Sequence, residues 1–245
     1  WNKVTSPSQN ISVTTIAQDP RPGHTNEWYY GTGELYGASH SGGGAFFFGD
    51  GIYKSTDNGE TWESLPVTAT GSPQSFSTPW QGIWRIAINP NNLENTEIYA
   101  ATYGRIYKSS NGGASWSLSL TTALSNDQSY FTDISISSDG ILYAGLSKEN
   151  EIIGSGASPI GGIWRSTDGE DWTNILPDEF PPSYNRITMA INPSNENEVY
   201  FLVANQTEII GKEILALYMY EALLKTIMIL VIVYVFIKMI YQDQR

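Results

Sequence analysis

Short apolar segments of strand length alternate with polar turns along the first 205 residues. An apolar run that ends in a turn occurs four times, at residues 15–20, 86–90, 134–140 and 190–193. Three copies end in Asp-Pro or Asn-Pro, and the third copy along the chain ends in Asp139-Gly140. Because proline fixes φ and Asn, Asp and Gly tolerate turn conformations, each run is predicted to be a β-strand followed by a turn.

Two further strands are predicted within these units. A second strand follows each turn, at residues 27–30, 97–100, 141–144 and 198–201. A third strand occurs three times, at residues 51–54, 105–108 and 162–165, and each copy runs into a polar turn that closes on tryptophan. The repetition of one plan predicts an all-β repeat protein.

The turns that close on tryptophan carry the most specific motif in the chain. The first matches the full S-x-D-x-G-x-T-W pattern, the second has Asn in the Asp position, and the third is one residue shorter. The defining residues are Ser55, Asp57, Gly59 and Trp62, then Ser109, Asn111, Gly113 and Trp116, then Ser166, Asp168, Gly169 and Trp172. The Asp can accept N–H groups of its own turn, the Gly supplies a positive φ, and the Trp packs between neighbouring sheets. Each turn is therefore predicted to fasten a hairpin.

These three turns resemble the Asp-box (BNR) repeat of sialidases, xyloglucan-type hydrolases, sortilin-type receptors and photosystem assembly factors. The resemblance covers roughly residues 1–205. It implies a β-propeller made of four-stranded antiparallel blades, with the boxes at the blade periphery and outside any catalytic site.

The unit count predicts a partial propeller of about three and a half blades. The complete blades are expected at about residues 1–70, 71–124 and 125–180, with a partial blade at 181–205. Closed propellers typically have about 4–8 blades. We therefore expect either a piece of a longer protein with further blades or half of an assembly completed by another chain. The start at Trp1, without a Met or an apolar leader, leaves open whether a leader was removed.

Residues 206–245 form an apolar tail of different composition. No Gly, Pro, Asn, Asp or Ser occurs in residues 212–242, and residues 217–220 occupy the place expected for the third strand of the fourth unit. Three interpretations compete: a membrane anchor at 222–240, where only Lys225 and Lys238 are charged; a shifted reading frame or wrong gene end; and a buried helix or pair of strands. A helix is expected over much of 212–240.

Charge and composition exclude several classes of partner. The net charge is −12, and the six Arg residues are scattered, so no basic surface for nucleic acid is expected. The absence of Cys removes disulfides, thiolate metal sites and Cys nucleophiles. His24 and His40 have no partner ligands at a metal-like spacing, so neither a metal nor a cofactor is predicted.

Candidate binding chemistry lies in an insertion of the first unit at residues 31–50. Long loops on a rigid scaffold are common places for binding residues, and aromatic side chains here can stack on sugar rings or peptide. The competing interpretation is a Gly-rich flap whose aromatics cover a blade edge. The lack of a Gly-Lys-Ser/Thr ending excludes a phosphate loop. The candidate binding residues are Glu34, Tyr36, His40, Phe47 and Asp50.

A catalytic site is less well supported by the sequence. A two-carboxylate glycosidase needs its acid and its base or nucleophile about 5–9.5 Å apart. Glu34 and Asp50 are the candidates, as are Asp178 and Glu179, but nothing in their context distinguishes them from other acidic residues. A sialidase resemblance would require an arginine cluster, and the Arg residues match no such pattern.

The sequence therefore favours an extracytoplasmic propeller that serves as a binding or scaffold module of a secreted or surface bacterial protein. Its ligand is expected to be a glycan or a polypeptide, and a membrane is a partner only if 222–240 is an anchor. One alternative is the amino-terminal part of a glycoside hydrolase of the xyloglucanase or sialidase type. Another is a sortilin-like or photosystem-assembly-like module that binds polypeptide.

Overall fold

The computed structural model describes most of the chain outside its longer connections and the tail. The described residues are 3–5, 9, 12–34, 47–69, 71, 77–121, 131–147, 161–177, 180, 184, 186–205 and 233–240, with backbone alone at 204, 205 and 233–240. They form strands and one short 3-10 turn, Pro79–Gln81.

The strands build four antiparallel sheets that follow one another along the chain, which we call blades 1 to 4. Blade 1 contains β1 (Val13–Gln18), β2 (Trp28–Thr32), β3 (Ile52–Ser55) and β4 (Glu63–Ser64). Blade 2 contains β5 (Ile83–Ile88), β6 (Ile98–Thr102), β7 (Arg105–Ser109) and β8 (Ser117–Thr121). Blade 3 contains β9 (Thr132–Ile136), β10 (Leu142–Leu146), β11 (Gly162–Ser166) and β12 (Thr173–Asn174). Blade 4 contains β13 (Ile187–Ile191), β14 (Glu198–Asn205) and β15 (Val233–Ile240).

The first strands of the blades lie side by side. Strand β1 contacts β5, β5 contacts β9, and β9 contacts β13, while the later strands of each blade extend outwards in chain order. Four-stranded sheets arranged around their first strands are the architecture of a β-propeller. The predicted all-β class and blade arrangement are confirmed.

The apolar cores lie between successive blades. Tyr29 and Ile52 of blade 1 pack with Ile86 and Ile98 of blade 2, and equivalent cores join blade 2 to blade 3 and blade 3 to blade 4. Alternate residues of a strand face opposite sides of its sheet, so each blade offers one set of side chains to the blade before it and another to the blade after it. Full burial of one such side chain stabilises by about 1.5–3 kcal/mol.

The fourth blade takes its third strand from the apolar tail. Strand β15 pairs with β14 along its whole length, from Glu198 opposite Ile240 to Asn205 opposite Val233. The expectation of a helix is wrong for these residues, because β-branched and aromatic side chains suit a pleated sheet and the edge of β14 offers backbone partners. Residues 217–220, expected as this third strand, lie outside the described residues.

The remainder of the candidate anchor segment, residues 222–232, also lies outside the described residues. Among the residues that the structure describes, no helix has the length and apolar character needed to span a membrane.

Candidate functional site

The antiparallel strand order sorts the connections to two opposite ends of the blades. The box end carries the turns between first and second strands and the three box turns. The loop end carries the connections between second and third strands and the connections from one blade to the next. Chemistry at the two ends is therefore spatially separate.

The first box forms a closed set of hydrogen bonds within its own turn. The Ser55 hydroxyl donates to Asp57 Oδ1 at 2.7 Å and accepts the N–H of Gly59 at 2.9 Å. The Asp57 carboxylate accepts the Thr61 hydroxyl and the Thr61 N–H, and Trp62 Nε1 donates to the Gly59 carbonyl. The bonds from Thr61 and Ser55 lower the pKa of Asp57 to about 2. Asp57 is therefore a fixed anionic acceptor near neutral pH.

The second box joins the same positions with an amide in place of the carboxylate, and its side-chain bond to the hydroxyl runs in the opposite direction. Asn111 Oδ1 accepts the Ser115 N–H at 2.9 Å, and Asn111 Nδ2 donates to the Ser115 hydroxyl at 2.8 Å. Ser109 and Gly113 repeat the contact of Ser55 with Gly59, and Trp116 Nε1 donates to the Gly113 carbonyl. The turn therefore requires a side-chain oxygen that accepts the N–H four residues later, and this oxygen can be charged or neutral.

The shorter third box differs from the other two in the hydrogen-bond partner of its tryptophan. Asp168 Oδ1 accepts the N–H groups of Glu170 and Asp171, and these bonds lower the pKa of Asp168. The Ser166 hydroxyl donates to Asp168 and accepts the Gly169 N–H. Trp172 Nε1 donates to the Ser119 hydroxyl of blade 2, so this box bonds to the preceding blade.

The box of one blade also docks on a polar group of the blade before it. Lys108 Nζ donates to the Asp168 carbonyl at 2.6 Å, and the Tyr99 hydroxyl lies 3.4 Å from the same oxygen. Tyr99 also donates to Glu97 at 2.9 Å. Burial raises the pKa of Tyr99, with Glu97 adding to the shift, so its hydroxyl stays a donor. We call Glu97, Tyr99 and Lys108 the docking triad of blade 2.

Blade 1 carries the equivalent triad of Glu27, Tyr29 and Lys54. Lys54 Nζ pairs with Glu27 at 2.6 Å, and the Tyr29 hydroxyl lies 3.5 Å from the Gly112 carbonyl in the box of blade 2. Sequence reasoning missed these triads, although Glu-x-Tyr recurs at the second strands of blades 1, 2 and 4.

A further group of possible metal ligands lies at the box end. Ligand atoms of Asp19, His24 and Glu27 all lie within 4.8 Å of one another. Arg21 already pairs with both oxygens of Asp19, and Lys54 pairs with Glu27. Burial acts to raise the pKa of Glu27, but the bonds from Lys54 and His24 outweigh it and lower that pKa. Because two cations already balance the two carboxylates, we interpret this group as an ion-pair network.

The predicted binding loop is described only at its two ends. Glu34 and Phe47 pair through their backbones, each N–H donating to the other carbonyl at 2.9 Å. The Phe47 side chain is exposed, and Asp50 Oδ1 accepts the Gly71 N–H at 2.9 Å. Tyr36 and His40 lie outside the described residues, as do Asp178 and Glu179. Asp50 therefore has a role in holding the connection to blade 2.

Next to this loop, the loop end presents an aromatic patch that we define as Phe48, Trp84, Tyr103, Phe131 and Arg186. The rings of Trp84 and Phe131 are 5.2 Å apart, and the exposed Arg186 guanidinium lies 5.4 Å from the Trp84 centroid and 5.8 Å from that of Phe131. Phe48 and Tyr103 pack into the same cluster.

The patch owes its position to backbone features. The pairing of β5 with β6 is irregular between Ile83 and Arg85, so Trp84 is the extra residue of a β-bulge. Bulges redirect a side chain out of the regular alternation and are frequent beside functional sites. Arg186 lies directly before β13, where the connection from blade 3 ends. Sequence reasoning missed this patch because its residues are far apart along the chain.

A polar network joins three first strands next to the patch. Asp133 of β9 accepts Arg85 Nε of β5 at 2.5 Å, the Thr188 hydroxyl of β13 at 2.8 Å and the Met189 N–H at 3.1 Å. The Asp133 side chain is only 6% exposed, whereas that of Arg85 is 44% exposed. The carboxylate is therefore held by donors from both neighbouring first strands.

Comparison with known proteins finds likeness at the level of solved structures. No protein-family model and no curated protein matches the chain. A GH74 xyloglucanase from Xanthomonas campestris is 17% identical over 77% of this chain and 26% of its own, with a TM-score of 0.47. An ancestral GH74 enzyme is 22% identical over 80% of this chain and 23% of its own, with a TM-score of 0.49. YCF48 from Cyanidioschyzon merolae is 18% identical over 83% of this chain and 67% of its own, with a TM-score of 0.38.

This chain thus spans about a quarter of the length of the two GH74 enzymes. The propeller architecture rests on the four sheets and their packing.

Proposed function

We propose that this chain is a β-propeller binding module whose ligand, a glycan or a polypeptide, rests on the aromatic patch at the loop end. The observation that carries the proposal is the stack of Arg186 on Trp84 and Phe131. Half-buried rings offer a flat apolar surface to a sugar ring or a peptide side chain. The guanidinium adds donors for hydroxyl or carboxylate oxygens.

The neighbouring carboxylates favour binding over catalysis. A general acid or nucleophile needs a carboxylate that can reach the reacting atoms. Asp50 accepts the Gly71 N–H, and Asp133 of blade 3 accepts hydrogen bonds from donors of blades 2 and 4. Both are engaged in holding the fold, so the patch itself is the best-supported feature for ligand contact.

The test uses purified full chain on a glycan array and on a peptide array, with Arg186→Ala and Phe131→Ala as variants. We expect a signal on one array and a loss of at least about tenfold for each variant, the size expected when a central contact residue of an interface is truncated. Leu93→Ala is the matched control, because Leu93 is exposed in the turn between β5 and β6 at the opposite end. Unchanged binding by both patch variants, or silence on both arrays, would overturn the proposal.

A turnover assay separates binding from hydrolysis. Incubation of the chain with xyloglucan and with sialylated glycans should release neither reducing ends nor sialic acid. If the highly purified chain releases reducing ends or sialic acid, and the Glu34→Gln or Asp50→Asn variant does not, the result would favour the glycoside hydrolase alternative.

The proposed location is extracytoplasmic, at the surface of a bacterium or secreted from it. The support is the resemblance of residues 55–62 and their two later counterparts to Asp-boxes. Fractionation of cells that express the tagged full-length protein checks this, and recovery in the cytosol alone would contradict it.

A further inference from the structure

The exposed Arg186 of the aromatic patch has no acidic partner among the described residues. Its contacts are the Trp84 and Phe131 rings, and it takes part in none of the ion pairs of the described chain. Lys54 and Lys108 at the box end, in contrast, each pair with a glutamate. The chain has 25 Asp and Glu against 13 Lys and Arg, so an arginine held without a carboxylate is the exception. Its charge is therefore available to a ligand.

The two rings hold this guanidinium without occupying its donors. Its central carbon lies 5.4 Å from the Trp84 centroid and 5.8 Å from that of Phe131, within the range of cation–π attraction. An aromatic face attracts the positive charge but is only a weak hydrogen-bond acceptor. The N–H groups of a guanidinium form a rigid fork that matches the two oxygens of a carboxylate. Arg186 is therefore positioned by the rings and keeps its fork for a carboxylate.

A second guanidinium lies beside the patch. Arg85 follows Trp84 in β5, and its Nε and Nη2 donate to Asp133. Within the described part of the chain Nη1 has no hydrogen bond, and the Arg85 side chain is 44% exposed. The Thr188 hydroxyl donates to the same Asp133. Because residues two apart in an extended segment face the same side, Arg186 lies on the side of β13 that carries Thr188. Arg85 is thus a second donor close to Arg186.

The combination of ring and cation suits a single sugar unit that carries a charge. The C–H face of a pyranose packs on an aromatic ring, and in a uronic acid the same unit also carries a carboxylate. A peptide offers these two features only on different residues, since Asp and Glu have no flat apolar face and aromatic side chains have no negative charge. The short distance between the Arg186 guanidinium and its two rings favours a ligand that carries both features on one unit.

The patch also offers more aromatic surface than one sugar unit covers. Tyr103 and Phe48 pack with Trp84 and Phe131 in one cluster. Phe47, next to Phe48 in the sequence, is 56% exposed. Several rings at one end of the blades can contact successive units of an oligosaccharide.

We infer that the ligand of the patch is an acidic glycan that contains uronic acid. Arg186 donates to the carboxylate of one unit, the ring of that unit packs against the exposed parts of Trp84 and Phe131, and Arg85 adds a donor through Nη1. This inference rests on the proposed binding function of the patch and narrows its ligand to one chemical class.

The test measures binding of the full chain to oligomers of galacturonic, glucuronic and mannuronic acid by calorimetry. Each acid is compared with its methyl ester, which keeps the sugar ring and removes the charge. At least one acid should bind about tenfold or more tightly than its ester, the size expected for hydrogen bonds between charged groups. This preference should shrink as the salt concentration is raised, because salt screens exposed charges.

Variants of the patch separate the charge from the rings. Arg186→Gln should lose about tenfold or more in affinity for the acid and little for the ester, whereas Phe131→Ala should weaken both. Arg186→Lys keeps the charge without the fork and should fall between Arg186→Gln and the unmodified chain. Lys3→Gln is the matched control, because it makes the same change of total charge at an exposed position outside the patch. Circular dichroism of each variant checks that the blades remain folded.

The outcomes distinguish this inference from the proposed function. Equal affinity for acid and ester, with losses in both Arg186→Gln and Phe131→Ala, would overturn the inference and leave the patch as the binding site of a neutral glycan. Binding of an acidic peptide by the patch, with no binding of any uronate, would also overturn the inference alone. Uronate binding that neither variant changes would overturn both, as would silence of the chain towards every uronate, ester and array.

Discussion

Lys108 Nζ in blade 2 donates a 2.6 Å hydrogen bond to the backbone carbonyl of Asp168 in the box of blade 3. The same Asp168 uses its side chain to hold its own turn. One residue therefore joins the local hydrogen bonds of a box to the packing of two blades. The box is an element of the contact between blades as well as of its own hairpin.

Replacing Lys108 with Met tests this contact. The change keeps much of the side-chain volume but removes the donor to the Asp168 carbonyl, and we expect a loss of about 1–3 kcal/mol in the free energy of unfolding. The Lys108 side chain is 12% exposed, so water does not fully replace the lost bond. Urea denaturation measures the change. Lys3→Met, at an exposed position, is the control, and equal stability of the two variants would show that the contact contributes nothing.

The box glycines should differ in their tolerance of alanine. Gly59 and Gly169 have φ of +84° and +73°, so alanine at either costs about 1–2 kcal/mol from its left-handed conformation. At Gly169 the added Cβ also collides with Tyr99, which should cost about 1–3 kcal/mol more. Thermal unfolding of Gly59→Ala and Gly169→Ala measures the difference. Equal melting temperatures would mean that Tyr99 moves away from the Cβ added at Gly169 without a loss of stability.

Acid should weaken the first box in a defined pH range. The pKa of Asp57 is about 2 in the folded chain, below its ordinary value of 3.8. A depressed carboxyl pKa means that its stabilisation is fully present above about pH 4 and is lost as the pH falls through 2. Asp57→Asn keeps an acceptor, as Asn111 does naturally, so it should lose this acid dependence.

Urea midpoints measured from neutral pH down to about 2 compare Asp57→Asn with the unmodified chain. Asn111→Asp is the reciprocal variant and should gain acid dependence in the same range. Parallel pH profiles for all three proteins would contradict the role of the Asp57 charge.

Loss of the Asp133 carboxylate should destabilise the joints among blades 2, 3 and 4. Asp133→Ala leaves the Thr188 hydroxyl and the Met189 N–H without their acceptor in a buried site, which we expect to cost about 2–4 kcal/mol. Arg85→Ala should cost only about 1 kcal/mol or less, since its side chain is 44% exposed and water can solvate the space it leaves. Chemical denaturation measures both variants. A larger loss for Arg85→Ala than for Asp133→Ala would contradict this account.

The strands and turns of each repeat could be predicted because their signals are local. The run at 86–90 ends in Asn89-Pro90, and the structure ends β5 at Ile88 with a turn after it. Alternation along a strand and the conformational preferences of Pro, Asn and Gly act within a few residues. For that reason the blade order follows from the sequence, while the fastening role of the boxes stays a prediction.

The candidate sites could not be predicted in the same way. Trp84, Phe131 and Arg186 are far apart in the sequence. The bulge in β5 that turns Trp84 towards the other two cannot be predicted from the residue pattern. The sequence singled out residues 31–50 because of their composition, yet Asp50 from that loop has a structural bond to Gly71. The chemistry of a side chain depends on neighbours that are remote in sequence.

By itself, the sequence determined that this protein is a succession of antiparallel hairpins with repeated box turns, since those features depend on neighbouring residues. Tertiary structure alone decided which blade the second and third boxes contact and that the Arg186 guanidinium lies over the Trp84 and Phe131 rings. It also decided that residues 233–240 form a strand and not a helix. The physical reason in each case is that the deciding partner, such as Tyr99 for Gly169 or the edge of β14 for β15, lies tens of residues away along the chain.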